Sequence, residues 1–325
     1  MPVQNIYINT DEIIMEESRF SLQNFIFGSS YHETCEEGTF KQLGILCPVI
    51  VYRDDNKKFH LIDGKKRIRY AKQSRKESLP AIVLTDTAKI TDIITLILCN
   101  RRKDIEQSVM NKILFVCFAI YLKAPEPWLL NSLCTSFGFR PYSEFLKDCE
   151  RINNLPAEMK QFCHEKLFSL KQILNLTHYP EDILRQLMGW RPVLQLTAST
   201  LDEISSNLKD YLRSQNKTIK AFSCEPEVKE IIQSTLSPRD KTERLRRLIY
   251  MKRFPVLSET NARIGEKVSQ LNLPEGISIN WDRTLENKNV DITVHVQEPA
   301  NMTELLNTLN SAEMKKAVEG ILDEL

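Results

Sequence analysis

The chain has 325 residues, 42% hydrophobic and 27% charged, which is enough for two or three domains that each bury a core. Lys+Arg (44) and Asp+Glu (43) nearly cancel to a formal net charge of +1, so a bulk polycation is excluded and any contact with nucleic acid has to come from local patches. The longest apolar run, Ile113 to Leu122, falls far short of the ~20 residues of a membrane-spanning helix.

The N-terminal MPVQNIYINTDEI has no basic segment followed by an apolar one, so the expectation is a soluble, cytoplasmic protein with no membrane partner. Eight cysteines stand at 35, 47, 99, 117, 134, 149, 163 and 224 without any CxxC spacing, and the five histidines add no ligand spacing. They read as reduced core residues, and no metal is expected.

In chain order, Ile6 to Ile8 reads as a first strand, and Asp11 to Glu17 and Glu36 to Leu43 as helices. Pro48 to Arg53 and Phe59 to Ile62 read as a hairpin around the turn Asp54-Asp55-Asn56. Lys65 to Arg75 is a helix with Ile68 and Ala71 on one face, stopped by Ser78-Leu79-Pro80, and Ala81 to Leu84 is the next strand. Beyond residue 88 the pattern turns helical: Ile90 to Asn100, Ile105 to Leu122, Trp128 to Ser136, Ser143 to Ile152, Ala157 to Glu165, Leu170 to Leu176, Glu181 to Met188, Leu201 to Leu212 and Glu227 to Leu236. Pro238 opens a tail with helices at Arg239 to Arg253 and Glu259 to Leu271. Strands at Ile277 to Trp281 and Val290 to Val296 follow, and Met302 to Leu325 is helical again.

The most informative stretch is Phe59-His-Leu-Ile-Asp-Gly-Lys-Lys-Arg-Ile-Arg-Tyr-Ala. A strand ends at Gly64 and a helix begins with Lys65, Lys66 and Arg67. The amide groups at a helix start are electropositive and normally attract acidic residues, so three cations there break a local rule. A bound anion is one compensation, with Gly64 letting the backbone approach a phosphate. The other reading is that Asp63 caps the helix and the cations are solvated.

Gly44-Ile-Leu-Cys-Pro48, then the hairpin, Gly64-Lys-Lys-Arg67-x-Arg69-x-Ala71 and Pro80-Ala-Ile-Val83 stand in one order. They resemble the ParB N-terminal domain, with its GxxxP loop, strand pair, GERRxRA box and strand after a proline. Asn100-Arg101-Arg102 resembles part of its third box, ENxxR. The likeness to the ParB partition family covers residues 1–110. It implies a bacterial DNA-binding protein whose N-terminal domain holds CTP or another nucleotide. The phosphates would lie against Gly64, Lys66, Arg67, Arg69 and Asn100, and Gly44 and Pro48 would shape the loop on the base side.

In the family two glutamates serve a magnesium ion. Lys65 and Cys99 stand at those positions here, and neither an ammonium nor a thiol suits that hard cation. Binding without hydrolysis is therefore expected. Sulfiredoxin shares the fold and carries its catalytic cysteine in a GCHR box at this helix start. Gly64-Lys-Lys-Arg67 has no thiol to perform that chemistry.

Leu129 to Ile152 reads as helix, turn at Gly138, helix. Leu155-Pro156 and Lys166-Leu-Phe-Ser169-Leu-Lys resemble the LP…G-LS stretch that follows the ParB helix-turn-helix. The second helix would present Arg140, Tyr142, Ser143 and Lys147 to DNA. Glu144 and Asp148 bring negative charge to the same region, so a helical pair that contacts protein is the competing reading. In the tail, Arg244, Arg246, Arg247, Lys252 and Arg253 form a basic helix face. It either contacts phosphate or is satisfied by the acidic segment 281–325 of its own chain or of a partner.

The expected fold class is α/β plus all-α. It comprises a ParB/sulfiredoxin-like domain over 1–87, a helical domain over 88–237 with a helix-turn-helix near 128–152, and an α+β domain over 238–325. The expected function is nucleotide-responsive DNA binding in partition or regulation. A homodimer is implied by the family's C-terminal dimerisation, although no residue here maps that contact. The alternatives are a degenerate ParB-fold protein-interaction module, and a ParB-like nuclease or nucleotide-dependent enzyme, for which no carboxylate cluster accompanies the basic box.

Overall fold

Alternating β-branched residues near the N-terminus build a five-stranded mixed sheet in the computed structural model, which describes residues 3–15, 18–22, 25–28, 40, 42–85, 88–271, 273–296, 298 and 301–325. The strands are β1 (Val3–Asn9), β2 (Ile13–Ile14), β3 (Val49–Arg53), β4 (Phe59–Asp63) and β5 (Ser78–Leu84), in the order β1-β5-β3-β4-β2. β3 and β4 form the expected hairpin, and β5 lies parallel to β3 and antiparallel to β1. Val49, Val51, Leu61, Leu79, Ala81 and Val83 project from the sheet into a core closed by Ile68 and Ala71 of helix α1 (Lys65–Gln73).

Two local expectations give way to tertiary contacts. Asp11 to Glu17 is not a helix where described: Thr10–Glu12 form a single 3-10 turn, and Ile13 and Ile14 then pair in parallel with Phe59 and His60. Pro80, read as a helix stop before a strand, lies within β5. A proline has no amide to donate to a ladder. Pairing of β5 with β3 begins only at Ala81, so at Pro80 the strand has β1 as its one neighbour. The expected helix over Glu36 to Leu43 falls largely outside the described residues.

The chain divides into two compact units, Met1–Met188 and Gly189–Leu325. The helical part of the first unit contains α2 (Ile90–Glu106) and α3 (Val109–Tyr121), then α4 (Glu126–Trp128), which continues into a π-helical stretch, Leu129–Cys134. α5 (Phe145–Asn153), α6 (Ala157–Glu165), α7 (Leu170–Leu176) and α8 (Glu181–Trp190) follow, α8 running across the boundary. α3 is apolar all round and buried from Ile113 through Ala119, as befits a helix that other helices surround. α5, α6 and α7 all pack against it.

The sequence reading ends a helix at Asn100. In the structure α2 continues to Glu106 with a break at Arg101 (φ −117°, ψ 16°), whose guanidinium lies 3.0 Å from the buried carboxylate of Asp104. Of the seven described cysteines, Cys117, Cys134, Cys149 and Cys163 are buried, and Cys47, Cys99 and Cys224 are exposed. Burial pushes the thiols of Cys117, Cys134 and Cys163 up to about 12.

The second unit holds α9 (Ala198–Ser214), α10 (Ile219–Ser223), α11 (Pro226–Gln233), α12 (Pro238–Arg253) and α13 (Pro255–Gln270). The hairpin of β6 (Ile277–Trp281) and β7 (Val290–Val294) follows, and α14 (Asn301–Asn310) and α15 (Ala312–Leu322) close the chain. Ile264, Ile277, Ile279, Trp281, Leu305, Met314 and Ile321 form its C-terminal core. α12 packs along α9, and its Leu245, Leu248 and Ile249 are buried. Among the described residues no helix is long and apolar enough to cross a membrane.

Candidate functional site

β4 ends at Asp63 and α1 begins at Lys65, with Gly64 between them as the N-cap residue at φ 110° and ψ 23°. Two constraints require glycine there. The left-handed backbone is costly for residues with a Cβ, and a Cβ on Gly64 would lie 2.6 Å from Val49 Cγ1 and 3.0 Å from Val49 Cβ. Because the cap is glycine, it offers no side chain to the first-turn amides, and the first turn contains no acidic residue. Lys65, Lys66 and Arg67 are half-buried, and Arg69, one turn further on, is exposed.

Asp63 does not cap the helix. Its Oδ2 lies 2.6 Å from Arg67 Nη2, and Arg67 Nη1 donates to the carbonyls of Pro48 and, at 3.4 Å, of Cys47. One guanidinium thus ties the loop before β3 to the helix start, and it joins Pro48, Gly64 and Arg67 in one place. A phosphate at this helix start would share Arg67 with the carboxylate of Asp63. The alternative reading in which Asp63 caps the helix does not hold; the i, i+4 spacing from Asp63 to Arg67 is the sequence signal for the ion pair.

Gly44 (φ 74°) closes a turn in which its amide donates to Phe40 O at 2.9 Å. Its nearest neighbour across space is Lys76 Nζ, 4.0 Å from where a Cβ would sit, and not the helix start. Asn100 and Cys99 are exposed on α2, immediately before the break at Arg101; α2 packs against β4, the strand that leads into Gly64. Asp63 is engaged by Arg67. Among the described residues no group of three or more His, Cys, Asp or Glu side chains is placed to hold a metal ion.

The second candidate region begins at Phe137, after the helical run that starts at α4. Gly138 (φ 79°) opens an irregular connector, and α5 follows from Phe145. Phe137, Phe145, Cys149 and Ile152 are buried, whereas Arg140, Tyr142, Ser143 and Lys147 are exposed. Five polar groups on this face satisfy one another. Lys147 Nζ lies 2.8 Å from Glu144, the Tyr142 hydroxyl donates to Asp148, and Arg151 pairs with the same Asp148 at 2.9 Å. The hydrogen bond to Asp148 pushes the Tyr142 hydroxyl up to about 12.

Arg246, Lys252 and Arg253 of the basic face of α12 are paired from a direction the sequence did not suggest. Arg246 pairs with Glu203 of α9 at 2.6 Å and with Glu243 at 2.9 Å, and Arg253 with Asp210 of α9 at 3.2 Å. Lys252 lies 3.0 Å from Glu225 and 2.7 Å from Glu227. These partners come from the helical segment 203–243, not from residues 281–325.

No protein-family model matches the chain, and no curated protein gives a significant match. Among solved structures, the chain is similar to the C-terminally truncated chromosome-partitioning protein ParB from Caulobacter crescentus complexed to the centromeric parS site. That likeness has 10% identity and a TM-score of 0.30 and covers 62% of this chain and 98% of that one. The same truncated protein complexed with CTP-gamma-S gives 10% identity and a TM-score of 0.24, over 57% of this chain and 98% of that one. Likenesses this weak leave the function to the residues of the chain itself.

Proposed function

We propose that the chain is a ParB-like DNA-binding protein of partition or regulatory type. On this reading residues 1–87 bind CTP or another nucleotide through its phosphates without hydrolysing it, and the helix pair near 128–152, within 88–237, contacts DNA. The observation that carries the nucleotide half is the start of α1, with a left-handed glycine cap, no capping side chain, and three cations without an acid in the first turn. The positive end of the helix dipole disfavours cations in the first turn, and a phosphate there would meet the helix dipole favourably while accepting hydrogen bonds. Lys65 and Cys99, where the family has glutamates, support binding without turnover. The protein would act in the cytoplasm as a homodimer, and residues 238–325 receive no separate role.

A second reading has its own support. Lys147, Tyr142 and Arg151 are engaged by Glu144 and Asp148 on the face that would meet DNA. That favours a ParB-fold module whose helix pair contacts protein.

Thermal denaturation with nucleoside triphosphates and with sulfate, each with and without Mg2+, separates these readings. A rise in Tm that Lys66→Ala reduces and Lys66→Ala/Arg67→Ala abolishes supports the phosphate site. No shift with any nucleotide at millimolar concentration overturns it. Phosphate release should stay at background with every divalent metal, and Mg2+-dependent release lost in Arg67→Ala would overturn the non-hydrolytic half.

A further inference from the structure

Seven cations stand between residues 65 and 76 (Lys65, Lys66, Arg67, Arg69, Lys72, Arg75 and Lys76) with no acidic residue among them, in a chain whose overall charge is +1. They do not all face one way. Arg67 turns to Asp63 and the loop before β3, and Ile68 and Ala71 are buried against the sheet. Within the helix, residues 65, 69 and 72 recur at the i, i+4, i+7 spacing of one side, Arg75 and Lys76 follow in the turn after Gln73, and every residue from 72 to 78 is exposed.

Among the described residues, four carboxylates border this side on the elements packed around α1. Asp63 is held by Arg67, and Asp11 lies 3.1 Å from Lys72 while itself 83% exposed. Glu12 and Glu77 pair with no cation of the helix among the described residues. Arg75 likewise meets no carboxylate there, and Lys76 lies beside Gly44 and 6.0 Å from the Tyr70 ring centroid. The result is a strongly positive strip at the far end of α1, beyond the residues of the phosphate site.

We propose that the outward side of α1 and the turn after it, marked by Lys72, Arg75 and Lys76, form a second anionic-polymer surface that lies along the phosphate backbone of duplex DNA. The chemistry selects a duplex over two other polyanions. A membrane-surface helix needs an apolar face to insert, and residues 72–78 are Lys, Gln, Ser, Arg, Lys, Glu and Ser. A single strand needs exposed rings on which bases stack, whereas Tyr70 is half-buried and stacked on Phe40 at 5.2 Å. The contact is blind to sequence, because phosphates position a protein without identifying bases. The proposal takes from the DNA-binding reading only its choice of polymer and is independent of the nucleotide site.

The test is fluorescence anisotropy of the full chain on a random-sequence duplex over a salt series, with Lys72→Ala/Arg75→Ala/Lys76→Ala and with Asp11→Asn. The triple variant should lower the slope of log K against log[salt] by about two to three and weaken low-salt binding at least tenfold. It should do so on every duplex sequence, and equally when combined with Arg140→Ala/Lys147→Ala. Asp11→Asn, which removes the carboxylate beside Lys72, should strengthen binding. The nucleotide-dependent Tm shift should be the same in the triple variant as in wild type, so failure of the phosphate site shows separately. An unchanged salt slope in the triple variant overturns the proposal. So does binding to phosphatidylglycerol vesicles or to single strands that the triple variant loses while duplex binding is unaffected.

Discussion

Arg67 and Asp63 meet across the glycine that starts α1, with Nη2 2.6 Å from Oδ2, and the same guanidinium donates to the backbone carbonyls of Pro48 and Cys47. The carboxylate therefore holds in place the group a phosphate would need. Asp63→Asn should weaken that hold without removing the arginine. We expect Asp63→Asn to lower stability by about 1 kcal/mol, as for a partly exposed ion pair, yet to enlarge the Tm rise produced by CTP. Arg67→Ala should cost more, ~2 kcal/mol, because two carbonyls lose their donor, and should eliminate the ligand shift. A ligand shift that falls in Asp63→Asn would show that the carboxylate orients Arg67 for the ligand and does not compete for it.

Gly64 is constrained by both its backbone and its neighbour. Gly64→Ala should destabilise the protein by ~3 kcal/mol in urea denaturation, combining the left-handed backbone with the clash on Val49. In the double variant with Val49→Ala the 2.6 Å contact with Cγ1 is removed, but the 3.0 Å contact with Cβ and the backbone cost are not. The two changes should therefore cost less together than the sum of the single changes. Strict additivity would mean the helix start shifts to relieve the contact.

Lys147 is held by Glu144 at 2.8 Å on the face proposed to meet DNA. Glu144→Gln should release the ammonium and remove a charge that repels phosphate, tightening duplex binding and raising the salt slope by about one. Arg140→Ala/Lys147→Ala should weaken binding and relax any sequence preference. Arg246→Ala should have little effect on DNA binding, since Glu203 and Glu243 already engage that guanidinium. Weakening by Arg246→Ala alone, measured by anisotropy, would move the contact to α12.

Tyr142 donates its phenolic hydrogen to Asp148, which holds it protonated up to about 12. The folded-state value lies above the ordinary one near 10. The stabilisation is therefore complete below pH 10 and is lost as pH rises from 10 toward 12. Ultraviolet titration of the native protein should show a late-ionising tyrosine. Asp148→Asn should return it to the ordinary range and remove the corresponding alkaline drop in stability. A titration unchanged by Asp148→Asn would mean that this hydrogen bond does not control the group.

Much of the local structure was legible in the residues themselves. Ala157–Glu165, Leu170–Leu176 and Ile277–Trp281 occur with the boundaries that periodicity implies. The hairpin and the helix opening at Lys65 follow from a β-branched alternation broken by Asp63-Gly64. These features are set by contacts within a few residues, where side-chain period and backbone freedom decide the outcome. The candidate phosphate site was legible for the same reason: an acid-free, glycine-capped first turn is a property of four consecutive residues.

What only the tertiary structure decided are the partners. Ile13 and Ile14 became a strand because Phe59 and His60 offered an edge, and Pro80 could enter β5 because β3 begins to pair only one residue later. The cations of α12 met Glu203 and Asp210, each 43 positions away from its partner. Residue types specify how many charges and apolar faces must be satisfied. Which group satisfies which depends on segments that chain folding brings together, and no local spacing encodes that choice.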